Sequence, residues 1–115
     1  MRNIVVAAGA INAALAVAAG AFAAHALKDR LDDDMRGVFE TGARYHMYHA
    51  LAMILAGLLA AKGPAWTFQI GIALFSGSLY LLALTGTKGL GAITPIGGVA
   101  FLVGWIWLAV SALRD

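Results

Sequence analysis

The chain has 115 residues, 62% of them hydrophobic and 12% charged, with a formal net charge of +2. A mean hydropathy of +0.84 lies outside the range of water-soluble domains, and the length leaves room for one domain. No basic stripe interleaves with aromatics, which argues against a nucleic-acid partner, and the lack of cysteine excludes disulfides, thiolate metal sites and a cysteine nucleophile.

The first predicted element covers residues 3–27, where only His25 could carry a charge. It exceeds the roughly 20 residues that cross a hydrocarbon core, and also the roughly 7–15 apolar residues of a signal-peptide core. It is therefore expected to remain as a span. Asn12 sits near its middle, where an unpaired amide would be costly. It is expected to face another helix and to meet Ser76, Ser78, Tyr80 or Thr85. Gly9 with Ala13, and Ala16 with Gly20 and Ala24, follow the small-residue spacing that lets helix backbones approach closely.

Nine of the fourteen charged residues fall in the connection 28–44. Leu31, Met35, Val38, Phe39 and Gly42 recur there at helical spacing, with most charges on the other positions. The pattern predicts a short amphipathic helix at the membrane interface, or an N-terminal extension of the second span. Asp32, Asp33 and Asp34 suit a helix start; contiguous acids in that place are ordinarily solvated and not a cation site. Glu40 and Arg44 are four apart in the order that favours an ion pair.

The second span, 45–61, opens with His46 and His49, three apart and so on one side of a helix. With His25 they should lie near one membrane face. His25, Glu40, Arg44, His46 and His49 therefore form the candidate ligand-binding set, since polar groups at membrane depth are default functional candidates. The structural alternative weighs more: histidines hydrogen-bonding the first helix to the second. A metal or haem site ranks last, because no carboxylate except Glu40 could complete a first shell.

Lys62-Gly63-Pro64 breaks the second span from the third, residues 65–87. Ser76, Ser78 and Tyr80 on this span, with Asn12, are the predicted polar helix-packing residues. Gly86-Thr87-Lys88-Gly89-Leu90-Gly91 lacks the order of a phosphate loop and reads as a turn. The fourth span, 92–113, is expected to start with Thr94 as N-cap and Pro95 at the first helical position, in preference to a start near Gly91 with a kink at Pro95. Trp66, Trp105 and Trp107 fit interfacial or partner-facing positions.

Together these elements predict an all-α fold: an integral membrane four-helix bundle, residues 1–115, with an amphipathic interfacial helix between helices one and two. Lys28, Arg30, Arg36, Arg44 and Lys88 would share one side against Arg2, Lys62 and Arg114 on the other, which places both termini outside.

Four motifs occur in order: Gly20-Ala-Phe-Ala-Ala-His25-Ala-Leu27, Thr41-Gly-Ala-Arg44-Tyr-His-Met-Tyr-His49-Ala-Leu51, Ser76-Gly-Ser-Leu-Tyr80-Leu-Leu-Ala-Leu-Thr85-Gly86 and Leu90-Gly-Ala-Ile-Thr94-Pro95-Ile-Gly97-Gly98. In these the chain resembles the YgdD/YwdK-like small inner-membrane proteins, domain-of-unknown-function family 423. The resemblance implies a multi-pass protein of the bacterial inner (plasma) membrane, and it carries over no functional residue.

No zinc-protease helix, serine elbow or intramembrane aspartate pair occurs, so no catalytic residue, metal or cofactor is expected. The leading expectation is a non-enzymatic structural or accessory subunit, its partners the lipid bilayer and a homo-oligomer or larger membrane complex. The alternative is a small-ligand binding or transport protein with a polar pocket near the histidines.

Overall fold

The computed structural model describes residues 2–114, and among these the chain forms four long helices and no strand. Helix α1 is Ile4–His25 and α2 is Asp33–Leu58. Helix α3 runs over Lys62–Thr85, and α4 is Thr94–Leu113, entered through a 3-10 turn at Lys88–Ala92. Helices α1 and α3, and α4 with its entry turn, are long and apolar enough to cross a membrane. Arg44 with the histidines and tyrosines around it, and the charges before them, leave α2 less apolar than these three.

Local chemistry sets the boundaries. The Asn3 side chain caps α1 by accepting the Val6 N–H at 3.0 Å. Asp32 does the same for α2, accepting the Met35 N–H at 2.8 Å, while Asp33 and Asp34 occupy the electropositive first turn. Residues 28–44 do not form a separate interfacial helix. Residues 28–32 are the turn, and the amphipathic remainder is the start of α2, continuous with the apolar half. No glycine or proline stop signal follows the cap to divide them; Gly37 and Gly42 stay helical.

The predicted cap at Thr94 is also corrected. Thr94 is the first residue of α4, with Ile93 in the cap position, and its hydroxyl bonds Ser78 instead of the helix start. A turn of 3-10 helix already leads into α4, so no free chain end remains for Thr94 to cap.

Helices α1 and α2 run antiparallel along their full length. The Asn3 side chain donates to Gly57 O at 3.3 Å at one end, and Phe22 meets Phe39 with ring centroids 6.1 Å apart at the other. Between them Gly9 lies against the α2 backbone: a Cβ there would sit 2.9 Å from Ala50 O. Phe68 and Phe101 join Ala52, Met53 and Ile72 in the central core of α2, α3 and α4. Two flanking clusters, around Val5–Ala56–Ala65 and around Leu27–Phe39–Ala83, extend this packing to both ends.

Helix α3 changes pitch midway. Residues Ile72–Ser76 form a π-helical turn in which the Gly77 N–H bonds Ile72 O, five residues back. Such turns bulge one helix face and recur at functional positions. Here the bulge meets Gly97 of α4, whose absent side chain leaves room for the backbone of Phe75. The widened turn and the glycine together let α3 and α4 touch main chain to main chain.

Candidate functional site

A chain of hydrogen bonds ties α1, α2 and α3 together in the interior. The Asn12 amide nitrogen donates to Gln69 Oε1 at 2.7 Å and to Ala8 O at 2.9 Å. A carbonyl oxygen can only accept, so this fixes the amide orientation and turns Asn12 Oδ1 toward His46 Nε2 at 3.0 Å. His46 Nε2 must then carry a proton and donate. In the neutral ring Nδ1 is left to accept from the Tyr80 hydroxyl, 2.9 Å away.

The resulting series Gln69–Asn12–His46–Tyr80 starts and ends on α3, on opposite sides of the π turn. Ser76, within that turn, is fully buried and donates to Gly42 O at 2.7 Å. Ser78 places its one proton on Phe75 O at 2.9 Å and so accepts from Thr94 at 2.6 Å, joining α3 to α4. Asn12, Ser76, Ser78 and Tyr80 thus all contact a second helix. Asn12 reaches Gln69 and His46, however, and none of the hydroxyls expected for it.

His49 belongs to a different contact. Its Nδ1 donates to Tyr45 O at 2.8 Å, one turn back, and its Nε2 accepts from Trp105 Nε1 at 3.0 Å. Indole nitrogen only donates and carbonyl oxygen only accepts, so both ring nitrogens have assigned roles. The ring stacks on Phe101 with centroids 3.5 Å apart and 7° between planes. Beside it Tyr45, Tyr48, Phe75, Phe101, Leu102 and Trp105 line an open apolar groove of about 460 Å³ between α2 and α4.

The expected five-residue ligand set is not assembled. His46 turns to α1 and α3, His49 turns to α4, and no lone pair is shared between them. His25, Glu40 and Arg44 are exposed and make no hydrogen bond or ion pair among the described residues. The expected Glu40–Arg44 pair is absent there. The ion pair found is Arg36–Asp33 at 3.3 Å, on the first turn of α2. Glu40 and Arg44 ride the outward stripe of α2, where holding two long side chains together costs as much as the exposed attraction returns. Among the described residues no three His, Asp or Glu side chains converge as a metal site.

Two participants, Gln69 and Trp105, were not anticipated as polar partners. Counted from the helix starts at Ile4 and Lys62, Gln69 lies at nearly the depth of Asn12. Two lone amides at one depth were the available signal. Trp105 gave none, since its ring is equally at home against lipid.

Span-capable apolar helices, with interior polar groups satisfied across helix boundaries, define an α-helical membrane protein. The chain belongs to the family described as "Protein of unknown function (DUF423)", whose profile matches residues 19–98. It is 48% identical to UPF0382 membrane protein YwdK of Bacillus subtilis strain 168, covering 92% of this chain and 93% of that protein. A UPF0382 membrane protein of Staphylococcus epidermidis is 46% identical, and SAB0533 of Staphylococcus aureus 44%, each over 92% of both chains. No solved structure matches.

Proposed function

We propose that this protein is a non-enzymatic accessory subunit of the bacterial plasma membrane that crosses the bilayer four times and associates laterally through α1. One observation carries the reading: among the described residues no buried side-chain nitrogen or oxygen lacks a partner. Polar groups that saturate one another hold helices together; a binding or catalytic site keeps some of them free for its ligand. The antiparallel run of α2 along α1 supports α2 as a fourth span, its charged first turns reaching into the headgroup layer. The face of α1 turned away from α2 is rich in alanine, with Ala14, Ala18 and Ala21 exposed and nothing within 4 Å of a Cβ at Gly20. Small residues on an uncovered face suit a further helix as neighbour.

The chain has no cysteine, so single cysteines report cleanly. Cysteine placed at Ala14 or Ala18 should crosslink in intact membranes to one species of fixed stoichiometry, a second copy or a larger subunit. Cysteine at Leu102 on α4 should not. Absence of crosslinking at every α1 position, with a bare monomer in mild detergent, overturns the reading. Five basic residues against three favour both termini outside, which labelling of Arg2→Cys by an impermeant maleimide would check.

A second reading, an apolar-ligand binder, is favoured by the aromatic groove beside His49. Its ligand would lie against Phe101 and Trp105 with a polar end near the two tyrosines. Leu102→Trp would fill the groove and abolish binding while the Trp105–His49 bond stays intact; unchanged binding would dismiss it.

A further inference from the structure

At the membrane end opposite the charged connection, α1 begins beside the α2–α3 turn. Arg2, Asn3, Gly57, Ala60, Lys62 and Trp66 line a basin there of about 390 Å³. Its construction is specific. Asn3 caps α1 with its carbonyl oxygen and donates from its amide to Gly57 O, which clips the start of α1 to the end of α2. Ala60 adopts a left-handed φ of 58°, unusual for a residue with a Cβ, and the chain reverses so that α3 starts at Lys62. Two cations sixty positions apart in sequence are thereby held on one concave surface.

Among the described residues the charge distribution leaves them without a counter-ion. The acidic side chains among the described residues all lie from Asp29 to Glu40, at the far end of α1 and α2, where they balance Lys28, Arg30, Arg36, Arg44 and Lys88. Among the described residues the near end carries Arg2, Lys62 and Arg114 and no carboxylate, so the positive excess lies there. Neither Arg2 nor Lys62 has a carboxylate within 4.0 Å among the described residues.

The basin also lies at the ends of two span-capable helices, α1 and α3, where a spanning chain would leave hydrocarbon. Trp66 is 40% exposed in its lining, as suits an interfacial aromatic; Ile4, also in the lining, and Leu58 and Leu59, which lie in the chain between the lining residues Gly57 and Ala60, are more exposed still. A ligand there would meet two cations at one end and bare aliphatic side chains at the other.

We propose that this basin binds the phosphate of an anionic glycerophospholipid headgroup, with Arg2 and Lys62 as its cationic contacts and the acyl chains lying along Ile4, Leu58 and Leu59. The Arg2 guanidinium can meet two phosphate oxygens at once, while Lys62 supplies a point charge. The apolar border selects a lipid over soluble phosphate, which would leave those side chains unused.

The test uses the full-length protein in nanodiscs of equal phosphatidylglycerol and phosphatidylcholine, with co-released lipid counted by native mass spectrometry. Retained phosphatidylglycerol should exceed phosphatidylcholine by roughly thirtyfold, from two cations each contributing on the scale of a basic residue at an anionic surface. The Arg2→Gln/Lys62→Gln double variant should bring the ratio to about one, whereas Lys88→Gln at the other end should leave it unchanged. Equal retention of the two lipids by the unmodified protein overturns the proposal. So does a preference that survives the double variant. Displacement of the lipid by millimolar inorganic phosphate would reassign the basin to a soluble anion and equally overturn it.

Discussion

Two regions concentrate the polar residues of this chain, and they behave in opposite ways. Residues 28–44 carry nine of the chain's fourteen charges, yet among the described residues their charged side chains contribute one exposed ion pair, one exposed bond from Arg36 to Lys28 O and the cap of α2. The interior series Gln69–Asn12–His46–Tyr80 carries no formal charge and fastens three helices. In water the charged region is nearly free of consequence, because solvent replaces each contact it loses. Inside the helices nothing replaces a lost partner. Density of polar residues in the sequence therefore points away from the place where polarity governs the fold.

The sharpest way to break that contrast is to attack the interior where it has least slack. Gly97 admits the Phe75 backbone directly, and Gly97→Leu forces α3 and α4 apart at the π turn. Overpacking against backbone is expected to cost about 3 kcal/mol or more, seen as loss of the folded fraction in SDS titration. A stable Gly97→Leu protein would show that the two helices are not in main-chain contact.

Next in size is the polar series itself. Asn12→Leu removes the bonds to Ala8, Gln69 and His46 and a weak one to Met53 Sδ, and leaves His46 Nε2–H and Gln69 Oε1 without partners, an expected loss of about 1–2 kcal/mol. Combined with His46→Leu the two effects should be clearly less than additive, since they break one shared bond. The same geometry makes a qualitative prediction: nitrogen-15 spectra should show His46 as the Nε2–H tautomer and His49 as the Nδ1–H tautomer. Identical tautomers would remove either the Asn12 or the Trp105 contact from the account.

Trp105→Phe probes the weaker link between α2 and α4. It keeps the ring packing on Phe68 and His49 but deletes the donor to His49 Nε2, for an expected loss of about 0.6 kcal/mol. A loss several times larger would mean that Trp105 holds α4 in place mainly by its volume.

Much of this architecture was legible in the residues. The apolar runs gave the three span-capable helices, while Lys62-Gly63-Pro64, read as the break before the third span, forms the first turn of α3, and the reversal lies just before it at residues 59–61. Asn12 was legible as a helix-facing amide because a lone amide at mid-depth has nowhere else to go. Its partners were not, because partnership depends on the rotation of α1 against α3, and the π turn at Ile72–Ser76 shifts that rotation without any proline to announce it. His46 and His49 misled for a related reason. Three residues separate them by about 60° on a helix, near enough to share one ligand and far enough to face different helices. Only the positions of α1 and α4 decide which.

The smallest effect belongs to the exposed region and completes the contrast. Glu40 and Arg44 have the sequence spacing of an ion pair, but both are exposed and neither reaches the other. Glu40→Gln and Arg44→Gln should each change stability by less than about 0.5 kcal/mol, and their double-mutant coupling should be near zero. The solvent side of the membrane face accounts for this: each side chain extends to water or headgroups, and removing one leaves the other solvated as before. A coupling above about 1 kcal/mol would require the pair to close in the bilayer. The charged start of α2 would then be a built part of the fold, and the division between a governing interior and an indifferent charged end would fail at that point.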